Sequence, residues 1–522
     1  MHAPLSDQLT LGPIIMGHNR GQQMQLSLVD VKRHVGLFGG SGSGKTWAMK
    51  VLCEGTLARG IPLLAFDQMG DLAALAVQAS SREDYERLGL KPPAPMPSPS
   101  DWEISAAIAE EMGKLIYPRI LTPCSRIGEQ MALSPVTSRP KGFEELWRRD
   151  REDLILQADA QAAAFLTRFG IKLTRGANSA PSHELAVATD VLIRCWSENV
   201  DLSGPGGFAE YGAILVRSSS PCLDKAVADK IAKGIDTLTN GTHAQALWFE
   251  GQNFDLDRLM DVPKGKVPLI IVSLAHLQAA DRPWVIGQIS HQAMNWCQAQ
   301  GGSPARPRLV VAVDELAGEG PHVIMPHGNL KNHPSGEALR RILRQGRHYG
   351  CTLFGASQSP GDVDYKAFGN FGTRIIGQLK TAPDIEKSIV GINFRSGELG
   401  AKKFTEYVSI AKPGELFVIP PSGEWEKTRM RMLGCAHSTV TKDDMVRFFD
   451  ERVWKRHYQA KNEDDSPPGL EIGPAPLGRE LDHLANRYKG RIPSELLIGL
   501  QKLAEEAKAM TPASSTEALD VF

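Results

Sequence analysis

The chain has 522 residues, of which 42% are hydrophobic and 23% charged, and a formal net charge of −1 at pH 7. This is ordinary for a soluble globular protein of more than one domain. It excludes a global basic field that recruits nucleic acid, so such binding needs a local patch or an assembled ring. The seven cysteines are scattered without a C-x-x-C pair, and neither a leader nor a bilayer-length apolar run is evident, so a reduced, cytoplasmic protein with no membrane segment is expected.

Residues 1–34 read as a short lead-in segment. Val35-Gly36-Leu37-Phe38 reads as a buried strand, and Gly39-Gly40-Ser41-Gly42-Ser43-Gly44-Lys45-Thr46 then matches G-x-x-x-x-G-K-[ST]. Ala48, Val51, Leu52 and Gly55 recur at helical spacing after it, and Gly60 and Pro62 stop that helix. Strand, glycine loop and helix form a phosphate-binding P-loop, because bare glycine backbone closes its N–H groups around an anion at a helix N-terminus. The expected ligand is ATP with Mg2+, with Lys45 on the β/γ-phosphates and Thr46 placing its hydroxyl on the metal.

A second apolar run, Leu63–Phe66, ends at Asp67. With Gly70 and Asp71, Asp67 reads either as a contact to the water or magnesium shell or as an Asx-type turn. Ser80 to Pro99 is polar and then proline-rich, which predicts a loop. Residues 35–140 read as the first part of a core and 141–260 as a mostly helical insertion. That insertion carries helices at 142–170, 182–200 and 223–238, with a break at Gly204-Pro205-Gly206-Gly207. Leu247 to Leu259 is expected to return the chain to the sheet.

Residues 261–440 read as the second part of the core. Apolar runs end before Ser273, Asp314 and Ser357-Gln358, which predicts a mostly parallel sheet covered on both faces, with ligands at the carboxyl ends of its strands. Asp314 is expected to hold the Mg2+ shell and Glu315 to orient or deprotonate the attacking water. Gln358 reads as a γ-phosphate sensor or as a turn residue before Pro360. His322, His327 and His333 lack zinc-site spacing and read as a loop.

Glu337 to Tyr349 predicts one helix with a buried stripe of Leu339, Ile342, Leu343 and Gly346. Arg340, Arg344 and Arg347 form a second stripe, with Glu337 in reach of Arg340 or Arg341. The stripe is either a solvated face or the source of an arginine for a neighbouring subunit's γ-phosphate, Arg347 first and Arg374 second. Lys402, Lys403, Arg429 and Arg431 line a channel or a plain surface. Residues 441–522 read as C-terminal helices (478–489 and 494–509) and tail, with a linker at Lys461–Gly469 and a disordered end at 511–522.

In this order the motifs resemble the HerA/FtsK superfamily of ring ATPases, the HerA-like branch most closely. The likeness rests on His34 to Thr46, Leu64 to Asp71, Leu309 to Glu315, Arg344-Gln345-Gly346-Arg347-His348-Tyr349-Gly350, Ala356 to Pro360 and Asn370 to Ile375. It implies an α/β, RecA-like P-loop NTPase core, a homohexameric ring and ATP-driven translocation of double-stranded DNA, a helicase-type activity. It also implies a nuclease or other effector as partner, in DNA processing or antiphage defence. One departure is that the β-barrel common ahead of the core in HerA proteins does not fit in about 34 residues. The alternative is a regulatory or scaffolding ring that gates a partner effector without translocating DNA.

Overall fold

The computed structural model describes residues 7–449 and Lys502, except Arg126, Lys172, 174–181, Ser203, 220–224, 242–250, Ser303, 318–322, 327–332, Ser359 and 395–396. Residues 1–454 fall in one compact unit. The linker and helices expected beyond residue 454, and His322 and His327, lie outside the described residues.

The strands, in chain order, are β1 (Gln8–Met16), β2 (Gln23–Ser27), β3 (Val35–Phe38), β4 (Leu63–Asp67), β5 (Ile116–Pro123), β6 (Glu129–Ala132) and β7 (Gln252–Asn253). They continue as β8 (Val267–Ser273), β9 (Leu309–Val313), β10 (Cys351–Ser357), β11 (Thr373–Ile376), β12 (Glu415–Ile419) and β13 (Glu426–Arg429). All join one sheet of 13 described strands in the order β2-β1-β13-β12-β11-β3-β10-β9-β4-β8-β5-β6-β7. From β11 to β7 every pairing is parallel, and β12, β13, β1 and β2 add an antiparallel flank. The fold is therefore α/β with a mostly parallel sheet, as the apolar runs predict.

Those runs are continuous because both faces of the sheet are covered. Leu63 and Ala65 pack with Val35, Leu37 and the helix Lys45–Leu57, whereas Leu64 and Phe66 pack on the opposite face with Phe38, Val311 and Val313. On that second face lie Arg282–Ala299 and the helices Arg151–Arg168, His183–Ser197, Gly204–Ser219 and Lys225–Asn240, in one continuous apolar cluster. Among the described residues no helix is long and apolar enough to cross a membrane.

Several local expectations differ from what is observed. Residues 8–27 do not merely lead in, because β1 pairs with β2 and β13 and extends the sheet. The polar stretch after Ser80 contains a helix, Arg82–Leu88, whose first turn is capped by the Ser81 hydroxyl accepting from the Asp84 amide. Gly204 starts a helix instead of breaking one; with Gly204 at φ +66° the chain turns into Pro205, which needs no N–H in a first turn. Residues 142–170 form two helices, Phe143–Arg149 and Arg151–Arg168, that meet at Asp150.

Candidate functional site

The P-loop follows β3 and ends in the helix Lys45–Leu57, with Gly44 at φ +101° as its N-cap. Gly39 at φ +157° is required as well as permitted, because a Cβ there would lie 2.7 Å from Ser43 Oγ and 3.1 Å from Gly377 Cα. The loop is wedged against the segment after β11, where the Gly40 amide donates to the Gln378 carbonyl at 2.8 Å. Lys45 folds back over the loop and its Nζ donates to the Gly40 carbonyl at 3.0 Å. Burial lowers the Lys45 pKa, while Glu315 and Asp314 act to raise it, so the ammonium and both acids share one site. Thr46 lies half-buried in the first helical turn.

β10 stands between β3 and β9, so the carboxyl ends of all three strands meet above the P-loop. Asp314, directly after β9, is 9% exposed, and its Oδ1 has no hydrogen-bond partner among the described residues. Burial, and then the charges of Asp71 and Asp67, push its pKa up to about 7. Glu315 is held differently. Its Oε1 accepts from the Ala317 amide at 3.0 Å and its Oε2 from the Gln358 amide at 3.3 Å. Burial raises its pKa against these hydrogen bonds. The Gln358 contact to Glu315 thus runs through the backbone.

The two readings of Asp67 separate cleanly. Its Oδ1 accepts from Gly70 at 2.7 Å and Met69 at 3.3 Å, and its Oδ2 from Ala73 at 2.7 Å, with the side chain wholly buried. Asp67 is therefore the turn-forming aspartate. Sequence reasoning missed Gln68, whose Nε2 donates to the Glu315 carbonyl at 2.7 Å. Its only sequence signal was its place after an apolar strand that ends in an acid.

The arginine segment is not one regular helix. Pro334–Arg341 is α-helical, Ile342–Gly346 is a π-helical turn and Arg347–Tyr349 resumes the α-helix. The wider turn breaks the expected stripe. Arg340 pairs with Glu337 at 2.6 Å, and Arg341 turns inward to Asp153 at 2.7 Å. Arg344 and Arg347 remain exposed. Arg347 acts electrostatically on Lys32 and His34, at the end of β3 opposite its own P-loop. It is therefore placed away from its own P-loop.

Arg374 corrects the second expectation. It is 2% exposed, and its guanidinium donates to the carbonyls of Ser388 at 2.7 Å, Phe368 and Val390. A buried group tied to three carbonyls of its own fold is not presented to a neighbour. Arg431 is likewise turned inward, pairing with Glu54 at 2.7 Å, while Lys402, Lys403 and Arg429 are exposed. His333 caps the helix Pro334–Arg341, its Nδ1 accepting from the Gly336 amide at 3.1 Å.

The residues present fit a nucleotide-bound Mg2+. No group of three His, Cys, Asp or Glu that could hold a metal occurs among the described residues. A magnesium ion of this kind needs none, since it takes one or two protein oxygens together with phosphate and water. The unpartnered Asp314 Oδ1 and the Thr46 hydroxyl are the oxygens that would hold it. The metal would add positive charge where phosphate charge develops.

Residues 10–105 match the family described as helicase HerA, central domain. The structure of VirB4 of Thermoanaerobacter pseudethanolicus is similar, at 13% identity over 81% of this chain and 96% of that one, with a TM-score of 0.50. The bacterial conjugative coupling protein TrwBΔN70 in its unbound monoclinic form shares 12% identity over 79% of this chain and 88% of that one, at a TM-score of 0.46. TrwB in complex with the ATP analogue ADPNP shares 13% over 82% and 96%, at 0.43. No curated protein matches. The HerA likeness read from the motifs is matched over residues 10–105, and the VirB4 likeness shows a shared α/β fold over most of the chain.

Proposed function

We propose, from the premise that residues 10–105 match the helicase HerA central domain, that the chain is a Mg-ATP-dependent ring ATPase that translocates double-stranded DNA. The observation that carries the reading is one buried cluster. Lys45 lies within electrostatic reach of Asp314 and Glu315, and Glu315 is held by the amides of Ala317 and Gln358. Phosphoanhydride hydrolysis needs positioned charge and an aligned water more than covalent help, and this cluster offers the charge and a fixed carboxylate to align the water. Lys45 and the P-loop amides bind phosphate, Asp314 and Thr46 hold the metal, and Glu315 orients the water. Arg347, exposed away from its own P-loop, serves the phosphates of an adjacent copy. A hexamer is the assembly we propose, with a nuclease or defence effector as partner.

Steady-state ATP hydrolysis with and without linear duplex DNA, at low and moderate salt, tests the reading. Stimulation that fades with salt and is lost in Glu315→Gln is the expected result. Turnover indifferent to duplex would sink translocation and favour a ring that gates an effector.

A further inference from the structure

Two buried charged side chains on the P-loop helix make no hydrogen bond to the site described above, although the Lys50 charge acts on Asp314. Lys50 is wholly buried and Glu54 is 2% exposed. Burying an ammonium and a carboxylate is costly unless each is fully engaged. Both are engaged by one segment. Lys50 Nζ donates to the carbonyls of Ala436 and His437, each at 3.1 Å. Glu54 accepts the amides of Gly434 at 2.8 Å and Cys435 at 2.9 Å, and pairs with Arg431 at 2.7 Å. Trp47, directly after Thr46, donates its indole N–H to the Arg431 carbonyl at 2.7 Å.

The other end of that segment grips the second nucleotide-side element. The Val440 amide donates to the Gly70 carbonyl at 2.9 Å, and the Thr439 hydroxyl donates to Asp71 Oδ1. Gly70 and Asp71 belong to the turn closed by the Asp67 carboxylate, and the Phe66–Val313 register sets Asp67 abreast of Asp314.

We infer that residues 431–441 form a strap that fixes the turn of Asp67–Asp71 against the P-loop helix, making Lys50, Glu54 and Thr439 positioning residues for the Asp314 metal site. The inference rests on the reading of that site as the Mg-ATP centre. Two cheaper ways to close the fold were open: apolar residues at positions 50 and 54, or a segment held only by its own turns. A strap whose polar contacts go to the P-loop helix and to the Asp67 turn holds two walls of one site at fixed spacing.

The test uses the full chain with Thr439→Val, Thr439→Ser and Lys50→Met. Thr439 is exposed, so its variants fold. Amide hydrogen exchange of the protein alone is the first readout. Residues 67–73 exchange faster in Thr439→Val and Lys50→Met, and Thr439→Ser restores protection. Magnesium titration of ATP turnover is the second. The Mg2+ concentration for half-maximal rate rises about threefold in Thr439→Val, short of the roughly 10–100-fold typical of direct outer-shell partners. Nucleotide affinity measured without metal stays within twofold. Unchanged exchange of residues 67–73 in both Thr439→Val and Lys50→Met overturns the strap. Faster exchange in the variants, with a wild-type protein that never hydrolyses ATP, keeps the strap and removes the hydrolysis reading instead.

Discussion

Asp153 and Arg341, 188 residues apart, form an ion pair at 2.7 Å with both side chains buried. Arg341 also donates to Asn295 at 2.9 Å and Gln298 at 2.7 Å. The pair joins the first long helix of the helical stretch to the segment that carries Arg344 and Arg347. Arg341→Met strands a buried carboxylate, so the expected loss of stability is about 3–5 kcal/mol. Adding Asp153→Leu should return much of it. Urea denaturation of the two single variants and the double variant measures the coupling, and additive losses would show that the pair does not act as a unit.

Glu315→Gln should leave nucleotide binding intact and cut turnover by about 10²–10⁴, the range of a positioned acid–base group. The Ala317 and Gln358 amides bind different oxygens of Glu315, so the glutamine keeps the acceptor for one of them, and the other N–H loses its partner beside the new NH2. Lys45→Ala should lose affinity instead. Titration with a fluorescent nucleotide, beside phosphate release, separates the two. Wild-type turnover in Glu315→Gln would remove Glu315 from the chemistry.

Arg347 and Arg374 should part company experimentally. Arg347→Ala removes an exposed guanidinium, so the melting temperature stays put while turnover falls about 10³-fold if the group serves a neighbouring copy. Mixing it with Lys45→Ala should recover activity, since each copy lacks a different half of the shared site. Arg374→Met should do the reverse. It orphans the carbonyls of Ser388, Phe368 and Val390 at about 1–3 kcal/mol for each group left unsatisfied, and so lowers the melting temperature. Near-normal turnover in Arg347→Ala would reduce it to a solvated charge.

The parallel core was legible because its strands are buried on both faces and end in residues with special chemistry, as in Leu309–Val313 before Asp314. The P-loop was legible because its glycine spacing is a backbone requirement, as Gly39 and Gly44 show. The sequence hid contacts between distant polar residues. Arg374 reads like any basic residue until its three carbonyl partners converge on it from residues 368–390. Gln68 has only its place after Asp67 as a signal, and its bond to Glu315 becomes visible once β4 and β9 are neighbours. The π-helical turn at Ile342–Gly346 has no local signature, since its residues fit an ordinary helix equally well. Gly204-Pro205 reads as a break because glycine and proline interrupt helix interiors, whereas here they stand in a first turn, where both are tolerated.

Two buried histidines predict the acid response of the fold. His34 is 2% exposed at φ +68°, its Nδ1 accepting the Leu353 amide at 3.0 Å, and burial with the Arg347 charge lowers its pKa to about 3. His291 is 3% exposed beside Arg341 and Asp153, and burial lowers its pKa to about 3 as well. Unfolded, each would titrate near 6.5. Between those values the unfolded chain binds protons that the folded chain refuses. Each histidine's contribution is therefore complete above pH 6.5 and declines as pH falls toward 3, by about 2 kcal/mol at pH 5. Asp314, raised to about 7, pulls the other way over the same window, so the informative quantity is the difference between variant and wild type. His34→Asn keeps a side chain that tolerates the left-handed backbone and removes the titration. Urea midpoints measured in chelator from pH 7 to pH 5 should converge for wild type and His34→Asn as pH falls. Parallel lines would mean that His34 takes up its proton in the folded state.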